Sequence, residues 1–190
     1  MLKTADFSVG LLIIGLSYSL LVVYGISSPF IIEKVYGYSP VVTDYSSLGS
    51  GIALMLGGIT SKVLINKNLF LKINTAVILQ LIFAGLMTII SFGANRFYVL
   101  LIFTLLIHFL SGFIFNNVYA YCLQRFSKNA GVASGLTGGG IYVISSIAGY
   151  GLINLFEIKN VQSISMVNLL IVVLTFLGIV IFKRSVVRRG

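Results

Sequence analysis

Six long runs of apolar residues follow one another along the 190-residue sequence, and they constrain the fold more than any other feature. A helix needs about 20 apolar residues to cross the hydrocarbon core of a bilayer. Measured against that length, the runs predict six transmembrane spans, A to F, at residues 8–30, 41–61, 73–93, 97–121, 131–155 and 162–182. Barrel strands would alternate in segments of about ten residues, so the runs predict a helix bundle. The expected protein is a single all-α membrane domain over residues 1–190.

Charged residues support this interpretation through their number and their positions. They make up 9% of the chain, whereas soluble domains contain about 25%. Basic residues mark the cytoplasmic side of a membrane protein. With a cytoplasmic N-terminus, that side receives Lys3, Lys62, Lys67, Lys72, Arg125, Lys128, Lys183, Arg184, Arg188 and Arg189, and the other side receives only Lys34, Arg96 and Lys159. Both termini are therefore expected in the cytoplasm, and the net charge of +9 requires no nucleic-acid partner.

The segment between the first two spans is expected to form an external loop, "EKVYGYSP". Its tyrosines are typical of the membrane interface, and Pro29 and Pro40 are expected to mark the ends of the helices that it joins. Asp44 lies about one turn into span B. Its carboxylate either caps the helix start together with Thr43 or lines a pathway.

Polar residues inside the spans fall on two helix faces. At 100° per residue, span A groups Ser17, Tyr18, Tyr24, Gly25 and Ser28, and span D groups Thr104, His108, Ser111, Gly112 and Tyr119, with Asn116 at the margin. His108 is the titratable residue near mid-span, where an ionisable group is costly and is by default a functional hypothesis. It is expected to be either a neutral histidine hydrogen-bonded between helices or a proton carrier.

Span E places Gly131, Gly135 and Gly139 at intervals of four residues. Small residues at this spacing allow two helices to approach closely, either for fixed packing or for a gate in which helices slide. The glycines lack the lysine and hydroxyl ending of a phosphate-binding loop. With a single Cys122, no metal-ligand spacing and no paired carboxylates, the sequence predicts neither an enzyme nor a metal or cofactor site.

Two segments resemble one family. "SPFIIEKVYGYSPVVTDYSSLGSGIALMLGG", residues 28–58, is similar to the seventh helix end, external loop and eighth helix of the Bcr/CflA-type drug-resistance branch of the major facilitator superfamily. "NAGVASGLTGGGIYVISSIAGYG", residues 129–151, resembles the tenth helix of that branch. The number of spans between the two segments agrees, so the resemblance covers essentially the whole chain.

The resemblance implies a bundle of two three-helix repeats, A to C and D to F, in the bacterial inner membrane. It corresponds to the second half of a twelve-helix proton-driven exporter of hydrophobic, drug-like molecules. Tyr18, Tyr24, Asn116 and Tyr142 would then contact substrate. Three hypotheses follow: a half that works with a separately encoded first half, a homodimer in which His108 carries the proton, or a non-transporting scaffold or pseudogene product. The carboxylates that couple protons in this superfamily usually lie in the first half and have no counterpart here.

Overall fold

The chain consists of long helices. Its structure, a computed structural model, describes residues 1–93 and 96–187, and no strand occurs among them. The six long helices are α1 (Ala5–Pro29), α2 (Pro40–Val63), α3 (Leu69–Gly93), α4 (Phe97–Arg125), α5 (Ala130–Phe156) and α6 (Val161–Val187). Each predicted span corresponds to one of these helices, so the all-helical prediction is confirmed.

Five of the six helices have the length and apolar composition that a membrane-spanning helix needs. By length and composition, α1, α3, α4, α5 and α6 are sufficiently long and apolar to cross a bilayer. Helix α2 is 24 residues long but more polar, since hydroxyl side chains and glycines replace much of its aliphatic surface. The chain is therefore compatible with an integral membrane protein. The prediction that α2 also spans the bilayer stays a prediction.

The chain does not leave its first helix at Pro29, contrary to the sequence-based expectation. A π-helix, Phe30–Val35, continues α1, and the Tyr36 amide donates a 3.1 Å hydrogen bond to the Ile31 carbonyl oxygen. Pro29 removes one hydrogen bond from the preceding turn, yet the helix continues past it. The true connection is thus short, from Tyr36 to Ser39. Pro40 does mark a helix boundary, because it occupies the first turn of α2, where no donor is needed.

Helices α1 and α4 occupy the centre of the bundle. Helix α1 packs against α5, α6 and α4, whereas α4 packs against α2, α3 and α1, and α3 also contacts α6. If α1 is exchanged with α4, α2 with α5 and α3 with α6, the same set of contacting helix pairs results. Helices α2 and α5 are at the periphery, each packed mainly on one central helix.

Side-chain contacts show which helix ends lie together. Asp6 at the start of α1 forms an ion pair with Arg125 at the end of α4, and Phe70 at the start of α3 packs on Phe182 near the end of α6, with ring centroids 5.8 Å apart. We call this the basic end, because most lysines and arginines of the chain lie there. Arg188 and Arg189, also predicted on this side, lie outside the described residues.

Aromatic residues cluster at the opposite end of the bundle. Tyr36 and Tyr38 from the first connection pack against Phe97 at the start of α4, with ring centroids 6.1 and 4.9 Å away. Burial, with a smaller contribution from Tyr38, raises the pKa of Tyr36 to about 12. These contacts fix the first connection against the start of α4.

Candidate functional site

The buried side chain of His108 joins three helices. Its Nδ1 shares a 2.5 Å hydrogen bond with the Ser50 hydroxyl from α2, and its ring lies edge-on to Tyr24 from α1, with centroids 5.6 Å apart. All three residues are only 1% exposed. Ser50 and His108 lie about 15 Å along their helices from the end opposite the basic end. That depth is close to the middle of a hydrocarbon core about 30 Å thick.

Part of this cluster makes no hydrogen bond of regular geometry within the described part of the chain. His108 Nε2 and the Tyr24 hydroxyl make no hydrogen bond of regular geometry to any described residue, although the Leu20 carbonyl group and Ser46 respectively lie close enough to interact with them. Buried polar groups without partners are costly. The cluster therefore retains donors and acceptors for a proton or another polar group.

The unpartnered groups continue along both central helices. Thr104 lies one turn from His108 on α4, and Ser28 lies one turn from Tyr24 on α1, so each pair shares a helix face. Both hydroxyls are buried and make no hydrogen bond to a described residue, and the same holds for Ser17 on α1. These members of the two predicted polar faces are thus buried in the bundle, whereas Gly25, predicted on the same face of span A, is exposed.

Gln80 of α3 supports the histidine from the other side, and the sequence analysis did not identify it. Its side-chain amide donates to the Ile107 carbonyl oxygen at 3.1 Å and to the Ser111 hydroxyl at 2.7 Å. These bonds attach α3 to the turn of α4 that carries His108. A long amide side chain deep in an apolar run was the available signal, but its partners depend on helix packing.

A second polar cluster closes the basic end of the bundle and was also missed. The buried Asp6 carboxylate accepts hydrogen bonds from Arg125 Nε at 3.0 Å and from the Tyr121 hydroxyl at 3.2 Å. The predicted span boundaries put Asp6 before span A and Arg125 in a loop. Both residues instead belong to helices, because α1 begins three residues earlier and α4 ends four residues later than predicted.

The predicted substrate contacts divide into three locations. Tyr18 and Tyr142 meet, with ring centroids 6.2 Å apart, and Phe115 lies 6.4 Å from Tyr18. This aromatic group lies at the surface shared by α1, α4 and α5, since Tyr142 is 66% exposed. Asn116 lies instead at the crossing of α2 and α4, where its amide donates to the Gly112 carbonyl oxygen. Tyr24 belongs to the His108 cluster.

Two other predictions are corrected by the helix positions. Asp44 does not cap a helix start, because α2 begins at Pro40 and Asp44 is exposed in its second turn. Thr43, its expected capping companion, donates a 3.0 Å hydrogen bond to Glu33 instead. The role of Asp44 in a pathway stays a prediction.

The predicted packing glycines of α5 do not pack closely against any described residue of another helix. A β-carbon at Gly131, Gly135 or Gly139 would have nothing within 4 Å. The close approach occurs between α2 and α4. There, a β-carbon at Gly57 would overlap the Phe109 carbonyl oxygen, and one at Gly112 would overlap that of Leu54. This crossing brings Ser50 to His108.

The described residues contain no group of three or more histidine, cysteine or acidic side chains placed to hold a metal ion.

No model of a protein family matches the chain, and no curated protein or solved structure matches it. The arrangement buries an imidazole at mid-bundle depth and presents aromatic rings at a helical surface.

Proposed function

We propose that the chain is a transport protein, one half of a proton-coupled exporter of hydrophobic molecules in the major facilitator superfamily. The observation that carries the proposal is the exchange pattern of the helix contacts. Transporters are often built from repeats of opposite topology, with their binding sites at the repeat interface near the bilayer midplane. Here α1 to α3 and α4 to α6 make equivalent contacts while running in opposite directions, and the His108 cluster lies between them.

The substrate surface in this proposal is the aromatic group of Tyr18, Phe115 and Tyr142. Aromatic rings bind hydrophobic molecules through shape complementarity and ring stacking, and this binding needs few hydrogen bonds. Asn116 follows Phe115 in the sequence but lies at the crossing of α2 and α4, so its amide is a hydrogen-bonding group outside this aromatic surface. A surface of this kind suits lipophilic molecules with one or few polar groups.

His108 lies behind this surface and provides the proton site. Imidazole binds a proton near neutral pH, but a charged ring in a dry bundle is strongly disfavoured. Protonation would therefore favour a conformation in which α2 withdraws from α4 and water reaches the ring. Because Ser50 holds the histidine in the closed arrangement, its hydrogen bond is the contact that proton binding would rearrange.

The second half of the transporter would cover the outer faces of α2 and α5. Both faces are apolar and open, with Tyr45 70% exposed on α2 and Ile147 71% exposed on α5. The unit that covers these faces is either a separately encoded first half or a second copy of the chain related by a two-fold axis. A non-transporting scaffold would account for His108 only as a neutral, hydrogen-bonded link between helices. The basic end then faces the cytoplasm of a bacterial inner membrane.

Dye transport in everted membrane vesicles tests the proposal. The chain is expressed alone or with a candidate first half, and ethidium uptake is followed after a proton gradient is imposed. We expect gradient-driven uptake that His108→Gln abolishes. Gln80→Met is the matched control, because it removes a buried polar side chain beside the same turn without removing a titratable group.

The two partners give different outcomes in this assay. Uptake by the chain alone supports the homodimer, and uptake only with a first half supports the split transporter. If neither preparation takes up dye, or if His108→Gln retains full gradient dependence, the proposed function is wrong.

A further inference from the structure

Three lysines surround a polar cavity at the basic end of the bundle. Lys62 ends α2, Lys67 lies in the connection to α3, and Lys72 lies in the first turn of α3. The cavity has a volume of about 320 Å³, and its remaining polar lining comes from Ser61, Asn116, Asn117, Tyr121 and Gln124. It is thus bounded by the ends of α2 and α4 and by the start of α3.

The positive charge of this cavity is not neutralised within the described part of the chain. The described residues form two ion pairs, Arg125 with Asp6 and Lys159 with Glu157, and neither pair includes a lysine of the cavity. Lys72 Nζ donates a 3.0 Å hydrogen bond to the Leu64 carbonyl oxygen, which holds its ammonium group beside the α2–α3 connection. The start of α3 adds the positive end of a helix dipole to the same place.

An apolar groove continues from the cavity toward the middle of the bundle. It has a volume of about 300 Å³ and shares Lys67 and Lys72 with the cavity. Apart from the two lysines, the walls of the groove are almost entirely apolar. They consist of Leu64, Leu71, Ala76, Leu79, Phe109, Leu110 and Phe113, together with Thr60 and Thr75. From Leu71 to Leu79 the groove follows α3 for about 12 Å. That is most of the roughly 15 Å depth of one hydrocarbon leaflet.

We propose that the cavity and groove together bind one anionic phospholipid, independently of any transport activity. The phosphate lies against Lys62, Lys67 and Lys72, and one acyl chain follows the groove between α3 and α4. Basic pockets between helices are suited to anionic lipid headgroups. The continuous apolar groove selects a lipid over a soluble anion, because a free phosphate would leave the groove without a ligand.

Native mass spectrometry of the purified full chain tests this site by titration with dioleoyl phosphatidylglycerol. The same acyl chains on phosphatidylcholine test the headgroup, and glycerol phosphate tests the soluble anion. We expect Lys67→Gln with Lys72→Gln to weaken phosphatidylglycerol binding by about 30-fold. Lys128→Gln is the matched control, since it removes an exposed lysine at the same end but outside the cavity.

A second variant tests the groove separately from the charge. Thr75 is exposed and its hydroxyl bonds only within its own helix, to the Leu71 carbonyl oxygen, so Thr75→Trp fills the groove and leaves the lysines unchanged. We expect it to weaken phosphatidylglycerol binding while the helical content stays the same.

Four results would overturn the assignment. Equal binding of the two lipids would remove the role of the lysines. Full phosphatidylglycerol affinity in Thr75→Trp, or glycerol phosphate binding as tightly as the lipid, would show an anion site without an acyl groove. An equal loss in Lys128→Gln would show diffuse surface charge.

Discussion

Two sets of glycines in this protein have opposite surroundings. The closed glycine seam, Gly57, Gly58 and Gly112, lies where α2 crosses α4, and a β-carbon at any of the three would overlap the other helix. The open glycine face, Gly131, Gly135 and Gly139 on α5, has nothing within 4 Å of any added β-carbon. Small-residue spacing therefore shows that close approach is possible, and the neighbouring helix decides whether it occurs.

The difference has a consequence for function. Lipid tails are as apolar as leucine, so helices in a membrane associate largely through close packing and hydrogen bonds. The closed glycine seam uses this contact to hold α2 on α4, and the approach places Ser50 against His108 at 2.5 Å. The open glycine face could also allow close helix packing, but no described helix of the chain packs closely against it. In the proposed transporter, one surface sets the proton site and the other is available to the second half.

The largest effect is expected from a substitution in the closed glycine seam. Gly112→Ala places a methyl group on the Leu54 carbonyl oxygen, which belongs to a helix backbone and cannot rotate aside. We expect a loss of about 3 kcal/mol in the free energy of unfolding, at the upper end of overpacking costs. Unfolding by sodium dodecyl sulfate in mixed micelles measures it.

The control for this experiment is Gly85→Ala on α3, because a β-carbon there meets no atom within 4 Å. It differs from Gly112→Ala in surroundings rather than in chemistry. Equal stability of the two variants would mean that α2 is not held closely against α4 in solution.

A smaller effect is expected at Gly58, although it belongs to the same seam. Its β-carbon would meet the amide nitrogen of the Asn116 side chain, whose only hydrogen bond within the described residues is a 3.3 Å contact to the Gly112 carbonyl oxygen. This flexible group can turn away, so we expect Gly58→Ala to cost about 1 kcal/mol. The same micelle assay measures it, and a cost as large as that of Gly112→Ala would show that the Asn116 side chain is fixed.

These contrasts also show what the sequence can predict. The helices were predicted to within a few residues, because the length of an apolar run sets the length of a spanning helix. The polar faces of spans A and D were predicted because helical periodicity places His108 and Thr104, or Tyr24 and Ser28, on one side. Both predictions need information from only one helix at a time.

The errors arise where two helices must be known together. The packing role was assigned to Gly135 and its neighbours because their spacing is regular, yet only the three-dimensional arrangement shows that Gly57 and Gly112 meet another backbone. The Asp6–Arg125 pair joins residues 119 positions apart, and no local pattern indicates it. Ser50 was not singled out either, since one serine among several on α2 becomes distinctive only opposite His108.

The smallest effect is expected on the open glycine face, and it separates two accounts of that face. Alanine restricts the unfolded chain more than glycine and favours a helix, so with no clash Gly135→Ala is expected to stabilise the isolated chain by about 0.5 kcal/mol. If a second six-helix unit packs there in the membrane, the added methyl group weakens that association. Unfolding in micelles and chemical cross-linking in vesicles measure the two effects.

Stabilisation with unchanged cross-linking would assign the face to lipid, whereas stabilisation with reduced cross-linking would assign it to the second half. Destabilisation of the isolated chain would mean that Gly135 packs against another helix, contrary to the structure.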